Sequence, residues 1–255
     1  MKKQRNKEKR AKNPVFRHEG LYERSDTPVT KNGVITKTLL MLTIVAIVAV
    51  LSGSMFSAKL EAGDAGNIGV MALVALFATL AVAILIGFKP NLAKPLSFVY
   101  AGLEGFLLGI ISVFAMRFDG GSVVSTALFI TIAIVMATNV LYTTGIIKVN
   151  KKFISIVFMM TLGAMFFYLI LIVGSLAGLD TSFMFDGSPL AIGISVLMLL
   201  IASLNLFVDY FMVDSFIEQG SDRSYEWYLA FGLTVTIVWI YIEALRLVQN
   251  LLGND

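Results

Sequence analysis

The sequence has no cysteine among its 255 residues, and this absence excludes several kinds of chemistry. Disulfides, thiolate metal sites, iron–sulfur clusters and cysteine nucleophiles all need the missing sulfur. The single histidine, His18, lies in the polar N-terminal stretch, so a histidine relay or a Ser–His–Asp set within the apolar part of the chain is excluded. Neither a glycine-rich phosphate loop nor an HExxH zinc motif occurs. We therefore expect no cofactor and no enzymatic activity.

Charge is also scarce, and it is unevenly distributed. Only 15% of the residues are charged, whereas 57% are hydrophobic. A soluble protein carries about a quarter charged residues. Eleven of the 20 Lys and Arg lie within residues 1–37, which leaves nine bases against 13 acids in the rest of the chain. With a mean hydropathy of +0.83, this pattern indicates a membrane protein that begins with a basic tail.

The chain divides at the end of that tail. Residues 1–33 are polar and basic and contain too little apolar surface to offset the entropy of ordering, so they predict a disordered cytoplasmic tail. Clustered Lys and Arg before a first span set membrane orientation, and we favour this role over a nucleic-acid contact. The remaining residues, 34–255, form the predicted transmembrane domain.

Seven apolar segments follow the tail, and each approaches the length of about 20 residues that crosses the hydrocarbon core of a bilayer. They are too long and too uniform for barrel strands, which are about 10 residues of alternating polarity. Because lipid-exposed backbone groups must be paired internally, helices are the remaining choice. The sequence thus predicts an all-α bundle of seven transmembrane helices, in contact with the lipid bilayer, near residues 36–58, 68–88, 96–116, 123–146, 153–177, 189–212 and 227–250.

The distribution of Lys and Arg between the connections predicts the orientation. With the tail inside, the inner connections hold six bases (Lys89, Lys94, Lys148, Lys151, Lys152 and Arg223), whereas the outer ones hold Lys59 and Arg117. Cytoplasmic loops carry the excess of positive residues. We therefore expect a multi-pass protein of the cytoplasmic membrane of a bacterial cell, with its N-terminus cytoplasmic and its C-terminus outside.

Three ionisable residues fall within the predicted spans, and all three are acids: Glu104, Asp209 and Glu243. Such a residue costs about 2.5–3.5 kcal/mol at the centre of a helix on insertion scales, and it normally faces a partner or a cavity. No base lies at mid-depth to pair with them, although Arg246 follows Glu243 by one turn near the predicted outer end. Unpaired acids indicate either neutral, protonated carboxyls or a cavity that attracts cations. Three alternatives without a further role remain: an interhelical hydrogen bond for Glu104, a carboxyl that reaches water for Asp209, and an ordinary ion pair with Arg246 near the outer interface for Glu243.

The sixth segment carries most of the remaining polar signal. Asn205 and Asp209 are one turn apart, about 40° around a helix, and predict one polar stripe. Asp214 lies about 140° from Asp209, and with Glu218, four residues later on the same face, it is expected in the headgroup region. Carboxylate oxygens are the ligands that Ca²⁺ prefers, so a transient Ca²⁺ site at Asp209 and Asp214 is one interpretation. In the third segment, "GLEGFLLG" contains one four-residue glycine step, Gly105 to Gly109, which indicates close helix packing.

Several stretches of the sequence resemble the transmembrane Bax inhibitor motif family, in its bacterial Bax inhibitor-1-like (YccA-like) branch. The most specific are "SLNLFVDYFMVDSFIEQG" (203–220) and "EWYLAFGLTVTIVWIYIEALRLV" (226–248). The resemblance also covers "NPVFRHEG" (13–20), "TPVTKNGVITKTLLML" (27–42), "FVYAGLEGFLLGIIS" (98–112) and "GIIKVNKKF" (145–153).

The resemblance implies a seven-helix bundle with the last helix at its centre, and a pH-sensitive calcium leak controlled by a pair of aspartates. Asp209 matches the first aspartate of that pair. Thr236 stands where the second would be, and Glu243 lies two turns further along the same helix.

Three hypotheses about function follow from these observations. The first is a pH-sensitive leak for calcium or another cation, with Asp209, Glu243, Glu104, Asn205 and Thr236 as residues of the ion pathway or pH sensor. The second is a non-conducting regulator that binds another membrane protein, such as a membrane protease. The third, an intramembrane enzyme, is the least favoured, because the motifs expected around the aspartates of a two-aspartate protease are missing.

Overall fold

Seven long helices make up most of the structure, a computed structural model that describes residues 25–63, 66–119 and 121–252. Each is long and apolar enough to cross a membrane. Even the shortest, with 21 residues, is about 31 Å long, which matches the hydrocarbon core. No β-strand occurs in the described ranges, so the predicted all-α membrane protein with seven transmembrane helices is confirmed. The helices are α1 (Lys31–Glu61), α2 (Ile68–Phe88), α3 (Ala93–Asp119), α4 (Ser122–Thr143), α5 (Lys151–Leu176), α6 (Pro189–Glu218) and α7 (Tyr225–Leu252).

Side chains placed just before three of the helices explain where those helices begin. Thr30, Asn150 and Ser188 each accept a hydrogen bond from a backbone N–H in the first turn of α1, α5 and α6, respectively. Such caps satisfy N–H groups that have no partner within the helix. Pro189 follows Ser188 at the first position of α6, where a missing N–H costs nothing.

Helix α7 lies at the centre of the bundle. It packs against α1, α3, α4 and α6. Of the residues in its most apolar 18-residue stretch, 67% are buried inside the protein, compared with 11% for α5. Helix α5 packs on α6 at the periphery. The predicted central position of the last helix is therefore confirmed. We call the end of the bundle where α1 and α7 begin the tail-side end.

Glycines allow α1 and α3 to approach closely. A Cβ atom at Gly109 would lie 2.0 Å from Ser52 Oγ and 2.6 Å from the Ala49 carbonyl oxygen. At Gly105 it would lie 2.6 Å from the Val45 carbonyl oxygen, whereas Gly102 faces open space. The four-residue step from Gly105 to Gly109 is thus a helix-packing surface, as predicted from its small side chains.

The first helix begins earlier than predicted, at Lys31, inside the segment assigned to the tail. Residues 25–30, which we call the strap, run along the connection between α6 and α7. The Val29 N–H donates to the Ser221 carbonyl oxygen at 2.9 Å, and the Arg223 N–H donates to that of Thr27 at 2.8 Å. The apolar Val29 side chain is buried, and this burial holds a segment whose composition is mostly polar. The rest of the predicted tail, residues 1–24, lies outside the described residues.

Candidate functional site

Asp209 lies on α6, nine residues before the helix ends at Glu218, or about 14 Å along its axis. Its Oδ2 atom is buried and has no hydrogen-bond partner within the described part of the chain. The carboxyl faces the Thr236 hydroxyl of α7, and a Cβ atom added at Gly232 would lie 3.8 Å from its Oδ1 atom. The contact between α6 and α7 therefore holds a carboxyl whose hydrogen-bonding capacity is incompletely used.

Asn205 lies one turn away on α6 but faces a different neighbour. Its Nδ2 donates to Thr161 Oγ1 of α5 at 2.8 Å and to the Ile201 carbonyl oxygen at 2.9 Å. The two polar residues of the predicted stripe therefore point toward α5 and α7 respectively, and the structure does not bring them together. The angle of about 40° between them is enough to divide them between two neighbouring helices.

Two cavities lie between the tail-side end and Asp209. The mouth cavity, of about 480 Å³, lies where α4 ends, and the inner cavity, of about 50 Å³, is lined by residues of α1, α4, α6 and α7. Lys31, Tyr142 and Asp214 line both. The Tyr142 hydroxyl donates to Asp214 Oδ2 at 2.7 Å, so the structure gives Asp214 a partner on α4.

The suggested calcium ligands, Asp209 and Asp214, are not brought together in this arrangement. Asp214 points to Tyr142 of α4, whereas Asp209 points to Thr236 of α7. Within the described ranges, no group of three or more Asp, Glu, His or Cys residues is placed to hold a metal ion. Asp209 and Asp214 therefore mark two different levels of the bundle rather than one ligand set.

Glu104 lies on α3 and is buried, with 8% of its surface exposed. It interacts with the Tyr100 hydroxyl one turn earlier on the same helix. The Tyr100 ring is 4.9 Å from that of Phe231, and Ser112 Oγ is 2.9 Å from Tyr241 Oη. These two contacts fix how α3 lies along α7, and they place Glu104 level with Thr234 of α7. Asp209 meets α7 at the same depth. The two acids therefore flank α7 from α3 and α6.

Glu243 has a full set of partners, and one of them is Arg246, the pairing that the sequence left open as an alternative. It forms an ion pair with Arg246, accepts a hydrogen bond from the Tyr168 hydroxyl, and accepts another from Trp239 Nε1 at 2.8 Å. The Arg246 guanidinium is itself buried and donates to Ser195 Oγ at 3.3 Å. The base expected near the outer interface is thus inside the bundle, where it neutralises Glu243, and the structure does not bring Glu243 to Asp209.

A fourth buried acid, Glu226, was not singled out from the sequence, where it belongs to an acidic stretch between two spans. The structure buries it fully at the start of α7. Its Oε1 accepts hydrogen bonds from the Thr30 N–H and hydroxyl at 3.0 and 2.8 Å, and its Oε2 forms an ion pair with Lys37. Gly33 leaves room for the carboxylate, since a Cβ atom there would lie 2.1 Å from Oε1. The only feature of the sequence that could have indicated a buried acid here is Lys37, a base within the first turns of the first span.

Comparison with known proteins agrees with this architecture. The sequence profile of a family described as "Bax inhibitor 1 like" matches residues 2–253, which is nearly the whole chain. No individually curated protein matches the chain. A match of this extent includes all seven helices and every buried acid described above, so the chain belongs to the Bax inhibitor 1 like family.

Proposed function

We propose that this integral membrane protein is a pH-sensitive cation leak, with Ca²⁺ as the expected ion and Asp209 as the controlling carboxyl. The observation that carries the proposal is the Oδ2 atom of Asp209, which is buried within the bundle and lacks a hydrogen-bond partner in the described residues. A buried polar atom without a partner is costly, and intramembrane acids that persist despite this cost usually serve an ion or proton path.

The chemistry of the site supports control by protonation. A protonated Asp209 has an O–H that can donate to the Thr236 hydroxyl across the contact between α6 and α7. An ionised Asp209 loses that donor, and its negative charge attracts cations. Its oxygens are the hard ligands that Ca²⁺ prefers. We therefore expect the closed form at low pH and a larger open population as pH rises.

The threonine at position 236 makes the expected response simpler than that of two coupled carboxyls. Two interacting acids titrate in two macroscopic steps that belong to the pair. Asp209 faces a hydroxyl instead, and the other buried acids lie on different contacts. The flux should therefore follow the titration of a single proton.

Ion flux in vesicles that contain only this protein tests the proposal. Ca²⁺ uptake should exceed that of empty vesicles and should rise with pH between pH 5 and 8. Asp209→Asn stays neutral and keeps a donor, so it should give low flux with a flattened pH response. Asp209→Ala removes the donor and should raise the flux at low pH. Asp186→Asn, which neutralises an exposed acid in the connection before α6, is the matched control and should behave like the parent.

Two other results would change the assignment. A full pH response in Asp209→Asn would show that Asp209 is not the sensor. Absence of flux across the whole pH range would instead favour the non-conducting regulator that binds another membrane protein. The lipid-exposed helix α5, of which little is buried by the rest of the chain, is the surface on which such a partner should then be sought.

The orientation of the protein gives the flux a direction. From the excess of Lys and Arg in the tail-side connections, we infer a bacterial cytoplasmic membrane protein with the tail-side end, and therefore the mouth cavity, facing the cytoplasm. A reporter enzyme that is active only outside the cell, fused after residue 255, should be active. Activity of a cytoplasmic reporter at this position would reverse the assignment.

A further inference from the structure

We propose that Tyr142 and Asp214 form a gate between the mouth cavity and the buried carboxyl of Asp209. This inference rests on the proposed cation leak, because it names the residues that control access to its sensor. It concerns a different pair of side chains from the contact between α6 and α7, and it can be tested without measuring flux.

The positions of the two cavities indicate where the gate lies. The mouth cavity is lined by the end of α4 and the connection that follows it, including Ile147 and Val149. The inner cavity is lined on one side by buried residues such as Val213 and Leu233, and on the other by Ile35 and Asn139, which are exposed on the surface of the bundle. Only Lys31, Tyr142 and Asp214 line both cavities, so these three side chains stand at the boundary.

Two contacts hold the Tyr142 side chain at this boundary. Its hydroxyl donates to Asp214 Oδ2 at 2.7 Å, and its ring centroid lies 5.5 Å from that of Tyr210. Tyr142 belongs to α4, and both of its partners belong to α6. The contacts therefore join the tail-side ends of two helices across the boundary, and rotation of one tyrosine side chain would connect the cavities.

The inner cavity reaches the level of Asp209 along the bundle, although Asp209 does not line it. Asp209 of α6 meets Gly232 of α7. The residues that follow them in the sequence, Tyr210 and Leu233, line the cavity. A cavity of about 50 Å³ has room for one or a few water molecules but not for a larger solute. Because Ile35 belongs to the apolar outer surface of a membrane-spanning helix, we expect a charged molecule to enter past Tyr142 rather than from that side.

The charges at the boundary suit control of a cation. Lys31 contributes a positive charge to both cavities, which opposes cation entry. The Asp214 carboxylate partly offsets that charge whether or not Tyr142 is bound to it. When Tyr142 moves away, an Asp214 oxygen becomes free to act as a ligand for the entering cation. Movement of Tyr142 thus changes both the width of the boundary and the number of oxygen ligands available there.

Thiol accessibility tests the gate directly, because the chain has no cysteine of its own and any introduced cysteine is the only thiol. Val213→Cys reports on the inner cavity, and Val149→Cys reports on the mouth cavity. The rate of modification by a charged, membrane-impermeant methanethiosulfonate reagent is measured for each in purified full-length protein. In the parent background we expect fast modification at position 149 and slow modification at position 213.

Removing only the hydroxyl that closes the gate should expose the inner reporter. Adding Tyr142→Phe should raise the modification rate at position 213 about tenfold, the effect of losing one hydrogen bond, and should leave position 149 unchanged. Asp214→Ala should act in the same direction, and it provides a second route if one variant folds poorly. Tyr168→Phe, which removes a hydroxyl from the distant Glu243 cluster, is the matched control and should not change position 213.

Three results would overturn the proposal. These are equal rates at position 213 with and without the Tyr142 hydroxyl, no modification there in any background, or the same increase in Tyr168→Phe, which would indicate general loosening. If the parent shows no flux but Tyr142→Phe still raises the modification rate at position 213, the cation leak is rejected. The gate is then retained as the entrance to a closed chamber. The two proposals can therefore fail separately.

Discussion

Glu243 lies on the central helix α7, and Asp209 lies on α6 and faces α7, but the two carboxyls differ in the number and charge of the groups around them. Glu243 has an arginine, a tyrosine and an indole N–H directed at its two oxygens. Asp209 faces a threonine hydroxyl and has a buried oxygen without a partner in the described residues. Burial of an acid in a membrane bundle therefore does not by itself indicate a functional site.

The comparison separates two uses of the same chemical group. The Glu243 cluster joins α5, α6 and α7 through Tyr168, Ser195 and Arg246, which is what a structural contact needs. The Asp209 position stabilises less, because its hydrogen-bonding capacity is partly unused, and it is close to cavities that lead to the tail-side end. We expect substitutions to change stability at Glu243 and ion flux at Asp209.

The largest effect should come from breaking the ion pair at Glu243. Arg246→Met leaves a buried carboxylate without a counter-charge, and such a loss costs about 3–5 kcal/mol in the free energy of unfolding. Thermal unfolding of the purified protein in detergent should show a large decrease in midpoint temperature. The double variant Arg246→Met with Glu243→Gln removes both charges and should recover much of the loss. A single variant as stable as the parent would remove the distinction between the two acids.

An intermediate effect is expected at Glu104, which has one partner where Glu243 has several. Glu104→Gln keeps a group that can bond to the Tyr100 hydroxyl, and it should unfold at nearly the parental temperature. Glu104→Leu leaves the buried Tyr100 hydroxyl unpaired and should lower the free energy of unfolding by about 1–2 kcal/mol. Equal expression and equal thermal stability of the two variants would show that Glu104 lacks a structural partner.

The effect on stability should be smaller still at Asp209. Asp209→Asn removes a charge that no base in the described part of the chain neutralises, so we expect the free energy of unfolding to stay within about 1 kcal/mol of the parent or to increase. The same substitution type at the paired acid, Glu243→Gln, should be clearly destabilising, since it leaves Arg246 unpaired. Comparable losses for the two variants, measured by thermal unfolding under the same conditions, would mean that Asp209 has a structural partner after all.

The smallest effect concerns Asp222, an exposed acid in the connection between α6 and α7. Hydrogen bonds from the Ser224 backbone N–H and hydroxyl, and then from the Ser25 hydroxyl, lower the pKa of Asp222 to about 2. The Ser224 bonds do not depend on the strap, so only the part of the lowering that comes from Ser25 and Thr27 is linked to strap binding. That contribution is complete above the ordinary aspartate pKa of about 4. It is lost as the pH falls from there through 2.

Hydrogen exchange of the Val29 amide, which donates to Ser221 in the bound strap, measures this contribution. After correction for the intrinsic effect of pH, protection should decrease between pH 4 and pH 2 in the parent. Asp222→Asn should show weaker protection at neutral pH without this acid-dependent step. A parental protein whose protection is constant over this range would show that Asp222 does not hold the strap.

The sequence predicted the helices well because the signals for a span are local. Length and hydropathy identify each crossing without knowledge of its neighbours, and all seven spans agree with helices in the structure. The start of α1 was placed a few residues late, because the polar residues 25–33 read as a tail. Their binding to the distant connection at Ser221 and Arg223 is a non-local contact that composition does not record.

The candidate site was predicted less completely, for a reason that the individual residues make clear. The resemblance to a family motif predicts that Asp209 and Thr236 occupy matching positions, and the structure places them opposite each other. Asn205 and Asp209 share a face by helical angle but contact different helices. Tyr142, which bonds to Asp214, belongs to a polar stretch of α4 that gave no indication of its partner.

The sequence by itself determined that this chain spans a membrane seven times, begins with a basic segment and carries acids inside its spans, because these properties follow from the polarity of consecutive residues. Only the tertiary structure decided that Arg246 neutralises Glu243, that Glu226 is buried against Lys37, and that one oxygen of Asp209 has no partner among the described residues. The last two depend on which helices are neighbours and how each is rotated about its axis. Arg246 follows Glu243 by one turn, but it is buried beside that acid because α6 covers it with Ser195.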